Sequence, residues 1–256
     1  MPIILLEITN GLKQKVNTIA NKINHNAEEK TIIPMNYKIN ELFETIQGEG
    51  SFTGQPSIFI RLQGCPVGCS WCDTKHTWDI ELEDQVSPDT MLAKKAETSQ
   101  WATFSPEDIL ALVKEKNFKA KHIVITGGEP CMVDLTPLCE SLEEQGYSTQ
   151  IETSGTFEII TTTKCWVTVS PKIKMRGGYD ILASAMLRAN EIKHPVATEQ
   201  NVDDLKALLA LHQVENTPVY LQPISQKKRA TDLAIATCIA NNWRLSVQVH
   251  KYIGIE

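Results

Sequence analysis

From Pro56 onward, short apolar runs alternate with longer amphipathic stretches along the chain. The apolar runs have the length and β-branched content of buried strands. They are SIFIRL (57–62), HIVIT (122–126), TQIET (149–153), CWVTVS (165–170), EIKHPV (191–196) and VYLQPI (219–224). A last run, WRLSVQVH (243–250), alternates apolar and polar residues with a period of two and is also predicted to be a strand.

Helix signals fill most of the intervals between these runs. SPEDILALVKEK (105–116) places Ser105 at an N-cap and Pro106 at the first helical position, and LTPLCESLEEQG (135–146) ends at a glycine. Further helices are predicted at 180–189, 202–213 and 229–241. Alternating strands and helices favour parallel pairing. About seven strands with fewer good helices predict an α/β fold, a partial, splayed βα barrel, with its chemistry at the carboxyl ends of the strands.

The first 35 residues differ from the rest of the chain. They are polar after a short apolar start and rich in Asn, Lys and Glu, whereas organised sequence begins with NYKINELFETIQGEG, directly after Met35. We therefore expect residues 1–35 to be an N-terminal extension, either poorly ordered or upstream of the true translation start. Residues 36–256 form the predicted core domain.

Composition and charge argue against several classes of protein. A chain of 256 residues with 42% apolar content can bury a large core without disulfides. The net charge of −6 and the scattered Lys and Arg residues argue against a nucleic-acid surface. No apolar stretch approaches membrane-spanning length, and the N-terminus lacks a cleavage signal. We therefore expect a cytoplasmic protein that binds neither membrane nor nucleic acid, and whose seven cysteines are free thiols.

The segment RLQGCPVGCSWCDT (61–74) carries the strongest chemical signal. Cys65, Cys69 and Cys72 lie on one loop directly after a predicted strand. Three thiolates suit a [4Fe–4S] cluster with one open iron, whereas a structural zinc site wants four protein ligands. Zinc with His76 as a fourth ligand is the less favoured alternative. The other cysteines, 131, 139, 165 and 238, have apolar neighbours and are predicted to be buried core residues.

With Trp71 before the last cysteine, this motif resembles the signature of the radical S-adenosylmethionine superfamily. ITGGEP (125–130) resembles the glycine-rich element of that superfamily, in which Gly127 and Gly128 would let the backbone approach the cofactor. The resemblance implies that the open iron binds S-adenosylmethionine. It also implies that reductive cleavage of this cofactor gives a 5′-deoxyadenosyl radical.

A narrower resemblance covers nearly all of residues 36–256. INELFETIQGEG, FTGQPSIFIRLQGCPVGCSWCDTKHTW, IETSGT, VSPK, MRGGY, LQPISQ and HKYIGI resemble the 7-carboxy-7-deazaguanine synthase family. This resemblance implies a carbon–nitrogen lyase that contracts the ring of 6-carboxy-5,6,7,8-tetrahydropterin with loss of ammonia, in the synthesis of 7-deazapurines such as queuosine. In that reaction the radical removes a hydrogen from C6, and S-adenosylmethionine is recycled.

The resemblance also implies site residues. Arg61 would pair with the substrate carboxylate through its planar guanidinium, and Thr74 would ligate Mg²⁺. The implied contacts of S-adenosylmethionine are Trp71, Cys72, Asp73, Gly128, Ser170, Pro171, Lys172, Gln222, Pro223, Ile224 and Ser225. The implied substrate contacts are Ile46, Gln47, Gly48, Arg61, Thr126 and Glu256, the last through a C-terminal tail that folds over the barrel mouth.

Partners follow from the same resemblance. A flavodoxin or ferredoxin would supply electrons, and the family's usual form is a homodimer. Two other interpretations stay open from the sequence. An activase of glycyl-radical enzymes shares the cysteine loop, the size and the partial barrel. A non-enzymatic zinc or iron–sulfur binding module is the more distant alternative.

Overall fold

The computed structural model describes residues 35–224 and 227–255. Residues 1–34 of the predicted N-terminal extension, Ser225 and Glu256 lie outside these residues. The described strands are β1 (Tyr37–Ile46), β2 (Pro56–Leu62), β3 (Ala102–Phe104), β4 (His122–Gly127), β5 (Ser148–Thr153), β6 (Trp166–Val169), β7 (Glu191–Val196), β8 (Val219–Pro223) and β9 (Arg244–Leu245).

All of these strands belong to one sheet in the order β3-β1-β2-β4-β5-β6-β7-β8-β9. Neighbours from β2 to β9 pair in parallel, as the alternation of strands and helices predicted. The sheet is open, since β3 and β9 are its two edges, so the predicted partial, splayed barrel is confirmed.

The prediction of about seven parallel strands misses the first edge of the sheet. β1 pairs antiparallel with β2, and β3 pairs antiparallel with β1. β1 escapes a pattern search because polar residues interrupt its apolar positions irregularly, and one of them, Asn40, is buried. The segment QGEG (47–50) therefore connects two antiparallel strands, β1 and β2.

The described helices lie mostly where the periodicity placed them. Ser105 forms a capping box with Asp108 at the start of the second helix, as expected from its sequence. The helices are α1 (Pro88–Leu92), α2 (Pro106–Glu115), α3 (Thr136–Glu144), α4 (Ala183–Arg188), α5 (Glu199–Leu211), α6 (Lys228–Asn241) and α7 (Val249–Ile253).

The C-terminal prediction is wrong beyond Leu245. The chain pairs with β8 only through Arg244 and Leu245, and α7 follows after a short turn. The backbone N–H of Val249 donates to the carbonyl of Gly48 at 3.0 Å. The segment thus leaves the sheet edge to pack on the loop after β1, a tertiary contact that the alternating pattern does not reveal.

The core fills the space between the sheet and its helices. Its largest fully buried side chains include Trp101, Tyr37, Ile58 and Ile123. The four cysteines outside the 61–74 segment are all buried and free, which confirms their predicted place in the core. In the described part of the chain, no helix is long and apolar enough to span a membrane.

Candidate active site

The carboxyl ends of the parallel strands surround a cavity of about 240 Å³. The loop after β2 contributes the three clustered cysteines, and the turns after β4, β6 and β8 close the other sides. Predicted cofactor contacts that line this cavity are Trp71, Cys72, Asp73, Gly128, Ser170, Lys172, Gln222 and Ile224. Because parallel strands bring their carboxyl ends to one rim, residues far apart in sequence meet here.

Backbone hydrogen bonds hold the cysteine loop in place. The N–H of Cys65 donates to the carbonyl of Trp78 at 2.9 Å, and the N–H of Gly64 donates to the carbonyl of Thr77 at 2.7 Å. The Trp78 indole Nε1 donates to the Cys72 Sγ at 3.4 Å. All three cysteines of the motif line the cavity, so the loop presents its thiols toward one space.

The thiol chemistry fits a cluster better than a single ion. Among residues 35–224 and 227–255, no three His, Cys, Asp or Glu side chains surround one metal position. The thiolates of a cubane bind different irons, so a cluster does not need such an arrangement. The His76 ring nitrogens lie 3.9 Å from Glu41 and 3.8 Å from Glu97, so zinc with His76 as fourth ligand finds no support.

Burial favours the protonated thiols of Cys65 and Cys69 until a metal binds. Desolvation raises the pKa of Cys65 to about 11, and Glu129 and the neighbouring thiols add to this effect. Desolvation also raises the pKa of Cys69, although Lys172 opposes it. Iron must therefore displace protons from the loop when it binds.

Gly128 allows the glycine-rich turn to touch the cysteine loop. A Cβ at this position would collide with the backbone of Gly64, the residue before Cys65. The Glu129 N–H donates to the Gly64 carbonyl at 2.7 Å, so the two segments form one unit. The ITGGEP turn and the cysteine loop are therefore in direct backbone contact.

A second cavity of about 190 Å³ adjoins the first. Five of the predicted substrate residues line it, namely Ile46, Gln47, Gly48, Arg61 and Thr126, together with the predicted magnesium ligand Thr74. The lining residues common to both cavities are Glu49, Asp73, Thr126, Glu152, Lys193 and Gln248. A molecule in the second cavity would therefore lie beside one in the first.

Buried charges stand at the boundary between the cavities. The Lys193 Nζ lies 2.6 Å from a carboxylate oxygen of Glu49 and 2.6 Å from one of Glu152. Burial raises the pKa of Glu152 to about 7, and Lys193 only partly opposes this. Burial also tends to raise the pKa of Glu49. The interactions of Glu49 with Lys193 and Gln248 are stronger than this effect and lower its pKa to about 2. Lys193, held by both carboxylates, has a raised pKa.

The C-terminal segment covers both cavities. Gln248 donates to Glu49 at 2.9 Å, and Lys251 donates to Asp73 of the cysteine loop at 2.8 Å. His250 lines the second cavity and lies so close to Gly48 that a Cβ there would collide with its ring. The predicted tail over the barrel mouth thus exists as α7 and the turn before it, and Glu256 lies beyond the described residues.

Some predicted residues do not line the described cavities. Pro171 follows β6 and Pro223 is the last residue of β8, but only their neighbours line the first cavity. Ser225 is outside the described residues. Sequence reasoning missed Glu49, Glu152, Lys193, Gln248 and Lys251. A signal was present for two of them, because a charged residue within each of the apolar runs TQIET and EIKHPV suggests a polar barrel interior.

Comparison with known proteins agrees with this geometry. The family model described as "Radical SAM superfamily" matches residues 59–162. The 7-carboxy-7-deazaguanine synthase of Escherichia coli (strain K12) is 58% identical over 223 residues, which cover 86% of this chain and 100% of the relative. The synthase of Buchnera aphidicola is 48% identical, with 87% and 100% covered, and that of Synechocystis is 34% identical, with 88% and 96% covered.

A solved structure extends the comparison to the fold. The crystal structure of QueE from Escherichia coli matches with a TM-score of 0.81 and 57% sequence identity, covering 84% of this chain and 95% of that one. The cysteine loop and glycine-rich turn both lie inside the matched superfamily region. This chain belongs to the 7-carboxy-7-deazaguanine synthase family of radical S-adenosylmethionine enzymes.

Proposed function

We propose that this protein contracts the ring of 6-carboxy-5,6,7,8-tetrahydropterin to 7-carboxy-7-deazaguanine, with loss of ammonia, as a carbon–nitrogen lyase. The product would serve 7-deazapurine synthesis, including that of queuosine. The observation that carries the proposal is the pair of adjoining cavities. One presents three cysteines, the other presents Arg61, and both share Thr126. A radical made in one cavity needs its substrate in the next, within reach and shielded from water.

Cys65, Cys69 and Cys72 would hold the cluster, and the turns that contain Gly128, Ser170 and Gln222 would hold S-adenosylmethionine. When bound, the reduced cluster would supply the one electron that releases a 5′-deoxyadenosyl radical and methionine from S-adenosylmethionine. Lys172 donates to the Ser170 hydroxyl at 2.6 Å, which fixes one wall of the cofactor cavity. Ser225 and Pro223 complete the predicted contacts of the β8 turn. Pro171, which follows β6, is also a predicted contact of S-adenosylmethionine.

The second cavity suits a flat heterocycle with a carboxylate. Arg61 offers a guanidinium for the carboxylate, and Gln47 offers an amide for the ring edge. Gln47 Nε2 donates to Glu152 at 3.5 Å, so the ring edge would meet a linked polar group. Ile46, Gly48 and Thr126 complete the lining, and Glu256 would reach it from the tail.

Thr74 is the proposed protein ligand of Mg²⁺. Its hydroxyl lies 3.5 Å from the carbonyl oxygen of Gly127, and oxygen atoms of these two kinds are ligands that hard cations prefer. The substrate carboxylate and water would supply the remaining ligands. Thr74→Val keeps the shape and removes the oxygen, so it should raise the Mg²⁺ concentration that half-saturates turnover.

Three further features belong to the same proposal. A flavodoxin or ferredoxin would deliver electrons to the cluster, the chain would act as a homodimer, and it would work in the cytoplasm. The proposed domain organisation is an N-terminal extension, residues 1–35, followed by a core domain, residues 36–256.

The test is an anaerobic assay of the reconstituted protein. Reconstituted wild type and Cys69→Ala receive S-adenosylmethionine, dithionite, Mg²⁺ and 6-carboxy-5,6,7,8-tetrahydropterin. Mass spectrometry then follows 7-carboxy-7-deazaguanine and 5′-deoxyadenosine. We expect deazaguanine from the wild type and none from the variant. Formation of 5′-deoxyadenosine without deazaguanine would keep the radical chemistry and reject the substrate.

A further inference from the structure

Arg61 stands directly opposite Glu41 in the antiparallel pair of β1 and β2. A register shift between Ile39 and Glu41 creates this pairing, since Ile39 is opposite Leu62 and one residue of β1 is skipped. With regular pairing, Asn40 would occupy the place of Glu41. Bulges of this kind re-aim side chains near functional sites.

The shift produces a short ion pair. The Arg61 Nε donates to Glu41 Oε2 at 2.6 Å, and the two side chains are only 17% and 21% exposed. This is the one hydrogen bond of the Arg61 guanidinium within residues 35–224 and 227–255. Nη1 and Nη2 are therefore left available for another acceptor.

An aromatic pair supports the guanidinium from its face. The Arg61 Cζ lies 5.7 Å from the centre of the Phe43 ring, and Phe43 stacks on Phe59 at 5.5 Å. All three of Arg61, Phe43 and Phe59 line the second cavity. The guanidinium is thus held at one edge and on one face before any ligand binds.

The presence of the Glu41 carboxylate beside Arg61 needs an explanation. A carboxylate beside Arg61 repels the carboxylate of a substrate, so it weakens binding unless it contributes something else. His76 Nε2 lies 3.9 Å from Glu41 Oε1, and the Lys94 ammonium interacts electrostatically with the same carboxylate. Orientation is the contribution that the geometry offers, because a guanidinium bound through Nε can meet a carboxylate only with its two terminal nitrogens.

We propose that Glu41 is a positioning residue that directs the Nη1–Nη2 edge of Arg61 toward the substrate carboxylate, an inference that rests on the proposed function. Glu41 itself does not touch the substrate in this proposal. It selects one of the two ways in which arginine binds a carboxylate bidentately. Carboxylate recognition then depends on a strand bulge as well as on the arginine.

The test compares two ligands that differ by the carboxylate. Isothermal titration calorimetry measures Kd for 6-carboxypterin and for pterin, with the protein loaded with cluster, S-adenosylmethionine and Mg²⁺. Glu41→Ala should weaken 6-carboxypterin binding about tenfold and leave pterin binding unchanged. Glu41→Gln keeps an acceptor and the side-chain shape, so its loss should be smaller.

Glu44→Gln is the matched control, because Glu44 lies on the same strand and its carboxylate accepts from backbone N–H groups of Lys119 and Ala120 instead. It should bind both ligands as the wild type does. Equal weakening of both ligands by Glu41→Ala, or no weakening in either Glu41 variant, overturns the positioning role alone. A wild type that binds neither ligand overturns the proposed function, and this inference with it.

Discussion

The Lys193 Nζ lies 2.6 Å from Glu152 Oε2, and both residues line the first cavity as well as the second. Glu49 shares the same ammonium, so two carboxylates compete for one positive charge. Such a group titrates as a unit, with one carboxylate holding its proton to a higher pH than usual. Glu152 is the carboxylate that keeps its proton to a higher pH, and its pKa is about 7.

This pKa predicts how stability changes with pH. Folding raises the pKa of Glu152 from 4.5 to about 7, so the folded protein holds a proton that the unfolded chain releases within this window. The stabilisation that protonated Glu152 provides is complete below pH 4.5. It is lost as the pH rises through 7. The steepest slope is about 1.4 kcal/mol per pH unit.

Urea unfolding between pH 5 and 8 measures this slope. Glu152→Gln cannot titrate, so it should lack the component that the wild type shows. Glu49 does not interfere, because its lowered pKa affects stability only below its ordinary value of 4.5. Identical slopes in the two proteins would reject the assignment of the proton to Glu152.

Lys193→Met should lower the free energy of unfolding far more than the same substitution of an exposed lysine does. The substitution leaves Glu49 and Glu152 buried without their countercharge, which lowers the free energy of unfolding by about 3–5 kcal/mol. Lys38→Met on β1 is the control, because Lys38 is exposed and should stay within about 0.5 kcal/mol of the wild type. Chemical denaturation at pH 7 compares the two. Equal losses of stability in the two variants would mean that the buried ion pairs of Lys193 are not important to folding.

Gly128→Ala should disturb the cluster loop rather than the whole fold. Its methyl group would push against the Gly64 backbone, next to Cys65. We expect less iron and sulfide per chain after reconstitution and weaker binding of S-adenosylmethionine. Gly146→Ala serves as the control, since its φ of +83° makes alanine unfavourable but leaves nothing within 4 Å of the new Cβ. It should lose stability and keep the cluster.

Iron content separates the ligand cysteines from the core cysteines. Cys65→Ala should abolish the 4 Fe per chain expected of a cubane cluster. Cys238→Ala should keep it, because Cys238 is buried in the core and its thiol donates to the Arg244 carbonyl at 3.1 Å. Iron analysis and the visible absorption of the cluster report the difference. Iron lost from Cys238→Ala despite a folded chain would contradict the three-ligand assignment.

Much of the architecture could be predicted because its signals are local. The runs HIVIT and VYLQPI became β4 and β8, and Ser105 caps its helix, since burial and capping depend on a few neighbouring residues. The cysteine spacing is local in the same sense. Family resemblance then brought Arg61 and Thr126 together, which the structure places in one cavity.

The remaining features depend on tertiary contacts. β1 mixes the exposed charges of Lys38 and Glu44 with the buried amide of Asn40, so its sequence does not look like a core strand. Lys193 lies in a buried strand only because two carboxylates from other segments meet it. The C-terminal segment turns away from β8 because Gly48 offers it a backbone acceptor. None of these partners is near in sequence.

The most direct test of the central claim uses 6-carboxy-5,6,7,8-tetrahydropterin labelled with deuterium at C6. The account predicts 7-carboxy-7-deazaguanine as product and deuterium in the S-adenosylmethionine recovered after turnover, because the radical takes hydrogen from C6 and the cofactor is regenerated. Product formed with no deuterium in the cofactor would contradict hydrogen removal from C6. The absence of product from a protein with an intact, reducible cluster would contradict the account as a whole.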